Sequence, residues 1–226
     1  MTKLQPNTVS IDAPNSDLHG SAPDICSTAV LLVDVINPLD FPEADELLAH
    51  ALPMAERIGE LKRRAKRAQI PVIYANDNFG RWRSDLRAVV DRCREPGSKG
   101  RELVEMLLPA EEDYFVLKPK HSAFYSTTLD TLLRYLGTRT LVIAGLAGNI
   151  CVLFTANEAY MRDYELLIPR DCVASNSQAE NEAALAQMAK VLKADTRPID
   201  QLELPVNSHR AAASRIPEPG SARQPG

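Results

Sequence analysis

Ala29-Val30-Leu31-Leu32-Val33-Asp34 is the stretch from which the fold can be read. Five apolar residues in a row, without the alternation of a half-exposed strand, mark a strand covered on both faces. That is the habit of parallel sheets with helices packed on either side. The run ends in a carboxylate. In open α/β sheets, ligands bind beyond the carboxyl ends of the strands, so Asp34 stands where chemistry is expected.

Working outward, Leu47, Leu48, Ala51, Leu52, Ala55, Ile58 and Leu61 recur at helical spacing and form one apolar stripe. The basic run that follows, Lys62 to Arg67, reads as a solvated helix end favoured by the helix dipole. Residues 71–75 and 114–117 are the second and third strands. A helix over 127–136 is closed by Gly137 as its C-cap. Thr140-Leu141-Val142-Ile143-Ala144 is a fourth strand running into Gly145. A helix over 149–162, a strand over 165–168, a helix over 178–192 and a short strand near 194–196 complete the alternation. Such alternation predicts a doubly wound α/β fold in three layers, with helices on both faces of a parallel sheet.

Composition narrows the function classes. The chain has 226 residues, 45% hydrophobic and 25% charged, with a net charge of −4. Nothing in that balance suggests binding to nucleic acid or to an anionic membrane. The sequence has no apolar run of membrane-spanning length and no leader-like apolar core after Lys3. The four cysteines, Cys26, Cys93, Cys151 and Cys172, stand far apart and form no CxxC pair. A disulfide framework and a zinc finger are thereby disfavoured, and a reducing, cytoplasmic setting is expected. Proline-bearing polar stretches at 1–25 and 205–226 read as disordered tails around a domain at 26–204.

Three strand ends carry residues that packing alone does not call for. The first strand ends in Asp34 and the third in Lys118. The fourth runs through Gly145 to Cys151 at the start of a helix. Each has an ordinary reading: Asp34 as a cap or turn residue, Lys118 as a solvated cation, Cys151 as an inert core thiol. Taken together they read differently. A buried Asp and Lys offset one another's desolvation, and a cysteine in a helix's first turn beside a lysine has a stabilised thiolate. An adjacent aspartate could also accept the thiol proton, and fast, selective alkylation at neutral pH would distinguish a nucleophile of this kind from an inert thiol.

The strand Leu31-Leu32-Val33-Asp34-Val35, the Lys118-Pro119-x-x-Ser122-Ala123-Phe124 block and Gly145-Leu-Ala-Gly-Asn-Ile-Cys151-Val152 are similar to the isochorismatase-like cysteine hydrolases. The similarity runs from about residue 29 to 195. It implies a sheet of six parallel strands in the order 3-2-1-4-5-6 and a catalytic triad of Cys151, Asp34 and Lys118. It also implies a cis peptide at Leu146–Ala147, an oxyanion hole from the amides of Ala147 and Cys151, and a dimer or tetramer. Isochorismatase itself lacks the nucleophilic cysteine, so Cys151 points to the amide-cleaving branch. Nicotinamidases of this family hold a metal with an Asp and two histidines. Here the histidines are His19, His50, His121 and His209, with no ligand pair between Asp34 and Trp82; no metal and no cofactor are expected.

The loop after the second strand, Asn76 to Arg83, lies where substrate should sit. Asn78, Phe79, Arg81 and Trp82 are substrate-binding candidates, with Phe124 from the lysine block and with His121 and Tyr125 behind them. Arg81 or Arg83 clamps a substrate carboxylate in this reading, or instead pairs with Asp85 or Asp91 at the surface. The expected reaction is hydrolysis of a C–N bond in a small amide, carbamoyl or ureido compound through a thioester, with Asp34 activating both thiol and water. The alternative is a non-catalytic binding module or phospho-receiver on the same sheet. The long separation of Asp34 from Lys118 and the missing acidic pair before Asp34 speak against a receiver.

Overall fold

The computed structural model describes residues 26–80 and 85–205. At its centre lies β1 (Thr28–Val33), buried along its whole length. It pairs in parallel with β2 (Val72–Asp77) on one side and β4 (Thr140–Leu146) on the other. β3 (Tyr114–Lys118) flanks β2, and β5 (Glu165–Leu167) flanks β4, giving the parallel order β3-β2-β1-β4-β5.

Side chains that alternate along these strands feed two cores. Val30, Leu32, Tyr74 and Ala144 face α1 (Ala44–Arg67), α2 (Leu86–Cys93) and α3 (Arg101–Met106). Leu31, Val33, Ile73 and Ile143 face α4 (Leu129–Leu136), α5 (Leu153–Tyr160) and α6 (Gln178–Val191). This is the three-layer arrangement expected of continuous apolar strands. Local chemistry sets several boundaries. The Asp85 carboxylate accepts from the Ala88 amide at 2.8 Å to start α2, and the Ser177 hydroxyl caps α6. Gly137, at φ 68, ends α4.

The far edge differs in detail from the expectation. Residues 194–196 contribute a single parallel bridge, Asp195 to Leu167, and so occupy the sixth place without forming an extended strand. A two-residue strand, β6 (Val173–Ala174), pairs instead with Gly145 and Leu146 at the carboxyl end of β4. β5 stops short of that end, so β6 supports the last residues of β4, which lead into the site. The segment before β6 is tied to α1, where Arg57 pairs with Asp171 at 2.9 Å and with Asp200 at 2.7 Å.

The basic end of α1 also does more than meet solvent. Lys62 donates to the Tyr74 hydroxyl at 2.6 Å and pairs with Asp113 at 3.1 Å. Arg64 donates to the carbonyls of Ile199 and Leu202. At the opposite end of the sheet from the site, the Thr28 hydroxyl reaches the Pro205 carbonyl at 3.4 Å. Among the described residues, no helix is long and apolar enough to cross a membrane. The expected tails lie almost wholly outside the described residues.

Candidate active site

Asp34 leaves β1 in the left-handed region at φ 52, a conformation that Asp tolerates better than most residues. Its amide donates to the Ala75 carbonyl at 2.9 Å, which keeps the residue against β2. The residue is 4% exposed. Its Oδ2 lies 2.7 Å from Lys118 Nζ, and its Oδ1 accepts from the Asp77 amide at 2.8 Å. Register explains the convergence: Asp77 and Lys118 are partners at the carboxyl ends of β2 and β3.

Lys118 is 0% exposed. An ammonium has three hydrogens to place, and each finds a partner: Asp34, the Lys120 carbonyl at 3.2 Å and Cys151 Sγ at 3.6 Å. Cys151 sits half-buried in a π-helical turn, Gly148–Val152, that leads into α5. Its thiol is also hydrogen-bonded to Asp34. The three side chains anticipated from separate strand ends therefore form one contiguous group.

Backbone close approach makes this possible at Gly145. Its φ is 125, and a Cβ there would stand 2.0 Å from the Val33 carbonyl oxygen of β1. After it come the cis peptide Leu146–Ala147 and a tightly held loop. The Ala147 carbonyl accepts from the amides of Ile150 and Val152, and the Asn149 amide donates to Ser175 Oγ at 3.2 Å. Gly148 packs where a Cβ would lie 2.3 Å from Asn181 Oδ1.

The electrostatics assign distinct protonation roles. Burial raises the Asp34 pKa above the ordinary carboxylate value, against the opposing pull of Lys118. Burial acts to lower the Lys118 pKa, but the charge of Asp34 prevails and holds it above the usual lysine value. At neutral pH the pair is ionic, with a carboxylate readier than most to accept a proton. Cys151 is pushed up to about 12, first by burial and then by the Asp34 charge, with Lys118 opposing. This corrects the expectation of a stabilised thiolate. The resting group is a thiol hydrogen-bonded to a base, because burial and the Asp34 charge both favour the neutral form over the thiolate that Lys118 would support.

The group opens into a cleft of about 810 Å³. Phe79, Leu146, Ala147 and Ile150 supply apolar wall, and Glu43, Glu46, Asp77 and Glu180 supply carboxylates. No arginine or lysine is among the described residues that line it.

Of the substrate-binding candidates, Phe79 lines the cleft. Asn78 does not. It is buried, its side-chain oxygen accepts from Gly80 and its amide donates to the Lys118 carbonyl, so it shapes the turn. Phe124 is also misplaced by the expectation. It lies 4% exposed in the core, 6.1 Å from the Tyr164 ring and under the Arg162 guanidinium. The apolar packing of α4 and α5 claims it. Arg81, Trp82 and Arg83 lie outside the described residues.

Three contributions were missed or ranked low. Asp77 positions Asp34 through its amide, a role visible only once the β2–β3 register is known. The acidic wall from the start of α1 and from α6 carried no sequence signal that set it apart from ordinary helix N-termini. His121 was ranked behind other pocket candidates, yet its Nδ1 stands 3.8 Å from Cys151 Sγ. Cys26, Cys93 and Cys172 are buried bystanders, and burial pushes the Cys93 thiol up to about 12. Among the described residues, no group of three or more His, Cys, Asp or Glu is disposed to hold a metal ion.

Residues 28–196 match the isochorismatase domain family. YaaI of Bacillus subtilis (strain 168), an uncharacterised isochorismatase family protein, is 44% identical over 174 residues, or 77% of this chain and 95% of its own length. The ureidoacrylate amidohydrolase RutB of Methylobacterium radiotolerans is 28% identical over 192 residues, 73% of this chain and 74% of its own. Among solved structures, N-carbamoylsarcosine amidase from Thermoplasma acidophilum has a TM-score of 0.63 at 25% identity and covers 79% of this chain and 100% of that one.

Proposed function

The chain belongs to the isochorismatase family of cysteine hydrolases, and we propose that it cleaves a C–N bond of a small amide, carbamoyl or ureido compound through a thioester on Cys151. The observation that carries this reading is the contiguity of Asp34, Lys118 and Cys151, with Asp34 and Cys151 lining one cleft and the buried Lys118 behind them. The names of the ureidoacrylate amidohydrolase and the N-carbamoylsarcosine amidase support the substrate class.

Asp34 takes the Cys151 proton as Sγ bonds to the carbonyl carbon, and the C=O π pair moves to oxygen. Lys118 keeps its charge throughout and holds the newly formed acid in place. The oxyanion rests on the Ala147 and Cys151 amides, whose loop is already fixed and so reorganises little as charge develops. When the C=O bond re-forms, the C–N bond breaks. The nitrogen takes the proton from Asp34 and leaves as ammonia or an amine. Water then cleaves the thioester and the thiol is restored.

The described wall offers a substrate carboxylate only like charge. A clamp from Arg81 or Arg83 is the route by which this chain could hold one; neutral and cationic amides need no such clamp. The enzyme works without a bound cofactor in this scheme, as a cytoplasmic homo-oligomer.

Cys151→Ala tests the proposal. Against a panel of amides and ureido acids, the wild type turns over at least one compound. The variant retains its circular dichroism and thermal transition but loses turnover. Undiminished turnover by a pure, folded Cys151→Ala sample overturns the assignment.

A further inference from the structure

The buried triad serves the thiol well and the hydrolytic water poorly. Both carboxylate oxygens of Asp34 are engaged, Oδ2 by Lys118 and Oδ1 by the Asp77 amide, and the residue is 4% exposed. Once Cys151 carries an acyl group, the water that attacks it must arrive from the open side of the cleft. His121 is there. It is exposed, it lines the cleft and its Nδ1 lies 3.8 Å from Cys151 Sγ.

Its position is built. The Lys120 carbonyl just before it accepts from Lys118 Nζ at 3.2 Å, and the Ala123 amide, two residues after it, donates to Thr155 Oγ1 of α5 at 3.0 Å. The imidazole ring is tilted against Phe154 of α5, with ring centroids 5.5 Å apart. The segment is thus pinned on both sides, to the catalytic lysine and to the helix that Cys151 leads into.

We propose that His121 is the base that activates the water for thioester hydrolysis, leaving Asp34 to the acylation half. The step balances simply. The water oxygen bonds to the thioester carbon as an O–H proton passes to the neutral imidazole, and the carbonyl π pair moves to oxygen. When the C=O bond re-forms, the C–S bond breaks and Sγ takes the proton back from the imidazolium. The product leaves as a carboxylic or carbamic acid, and both side chains return to their starting state.

The assignment rests on the thioester reading above, and p-nitrophenyl acetate separates the two. It is a probe that acylates a reactive cysteine whatever the natural substrate. Nitrophenolate release reports acylation, and intact-protein mass spectrometry reports the acetyl group on Cys151 and its clearance. For His121→Asn we expect acylation within about threefold of wild type and clearance slowed by about 100-fold, in the range of positioned acid–base groups. An acetyl-enzyme therefore accumulates. Added imidazole should restore clearance in His121→Gly, which a purely structural role for the ring does not provide. Clearance by His121→Asn at the wild-type rate overturns the assignment alone and returns the water to Asp34. Equal loss of acylation and clearance, with no adduct, also overturns it. Failure of wild-type Cys151 to be acylated at all removes the thioester reading and this assignment with it.

Discussion

Lys118→Met is the perturbation whose consequence follows most directly from the geometry. It removes the ammonium 2.7 Å from Asp34 and leaves a buried carboxylate with the Asp77 amide and the Cys151 thiol as its remaining hydrogen-bond partners. Removing one partner of a buried ion pair costs about 3–5 kcal/mol, because the other charge stays uncompensated. For a folded unit of this size, that corresponds to a fall in Tm of roughly 6–20 °C. Urea unfolding at about pH 7 measures the loss directly. The deficit should also depend on pH with a definite sign. Burial already raises Asp34 above its ordinary 3.8, and losing Lys118 raises it further. A carboxyl raised on folding contributes stability that is fully present below its unfolded pKa and is lost as pH rises through the folded one. The gap between variant and wild type should therefore narrow from about pH 7 toward about pH 5. Asp34→Asn combined with Lys118→Met removes the stranded charge yet keeps an acceptor for the Asp77 amide. The double variant should recover most of the stability while remaining inactive. A single-variant loss below about 1 kcal/mol, the size of a surface pair, with no pH dependence, refutes the description of this pair as buried and mutually dependent.

Two further outcomes follow from neighbouring features. Gly145→Ala places a Cβ 2.0 Å from the Val33 carbonyl oxygen in a backbone at φ 125. The strained conformation and the rigid backbone neighbour together should cost about 3–5 kcal/mol, and a thermal transition within a degree or two of wild type contradicts that. Cys151, pushed up to about 12 by burial and the Asp34 charge, should react with iodoacetamide slowly at neutral pH. Its rate should still be climbing above about pH 9, since the thiolate is the nucleophile; a plateau near neutrality shows a preformed thiolate instead.

The sheet and its two flanking layers were legible because burial on both faces leaves an uninterrupted apolar signature, as in residues 29–33. Asp34, Lys118 and Cys151 were legible as interruptions of that signature at the strand ends. The short helices α2 and α3 escaped notice, since eight and six residues give too few turns for a helical period to emerge. β6 escaped for the same reason in the strand period. Phe124 was misjudged because nearness in sequence to Lys118 says nothing about side-chain direction; the chain turns it inward between α4 and α5. Asn78 likewise looked like a ligand group and proved to be a turn-former. Pair electrostatics were the least readable, since the protonation of Cys151 depends on distances among three segments remote in sequence.

The bond between the Thr28 hydroxyl and the Pro205 carbonyl has a practical corollary. Thr28 opens β1, whose other end delivers Asp34, so both ends of the described chain meet about 20 Å from the catalytic group by the rise of a six-residue strand. In a version trimmed to residues 26–205, cargo fused at either new end, or a bead tethered there, would begin at the pole away from the cleft and leave substrate entry free. In that trimmed version a short linker joining the two ends would also close the chain into a ring, and new ends could then be opened elsewhere on the surface.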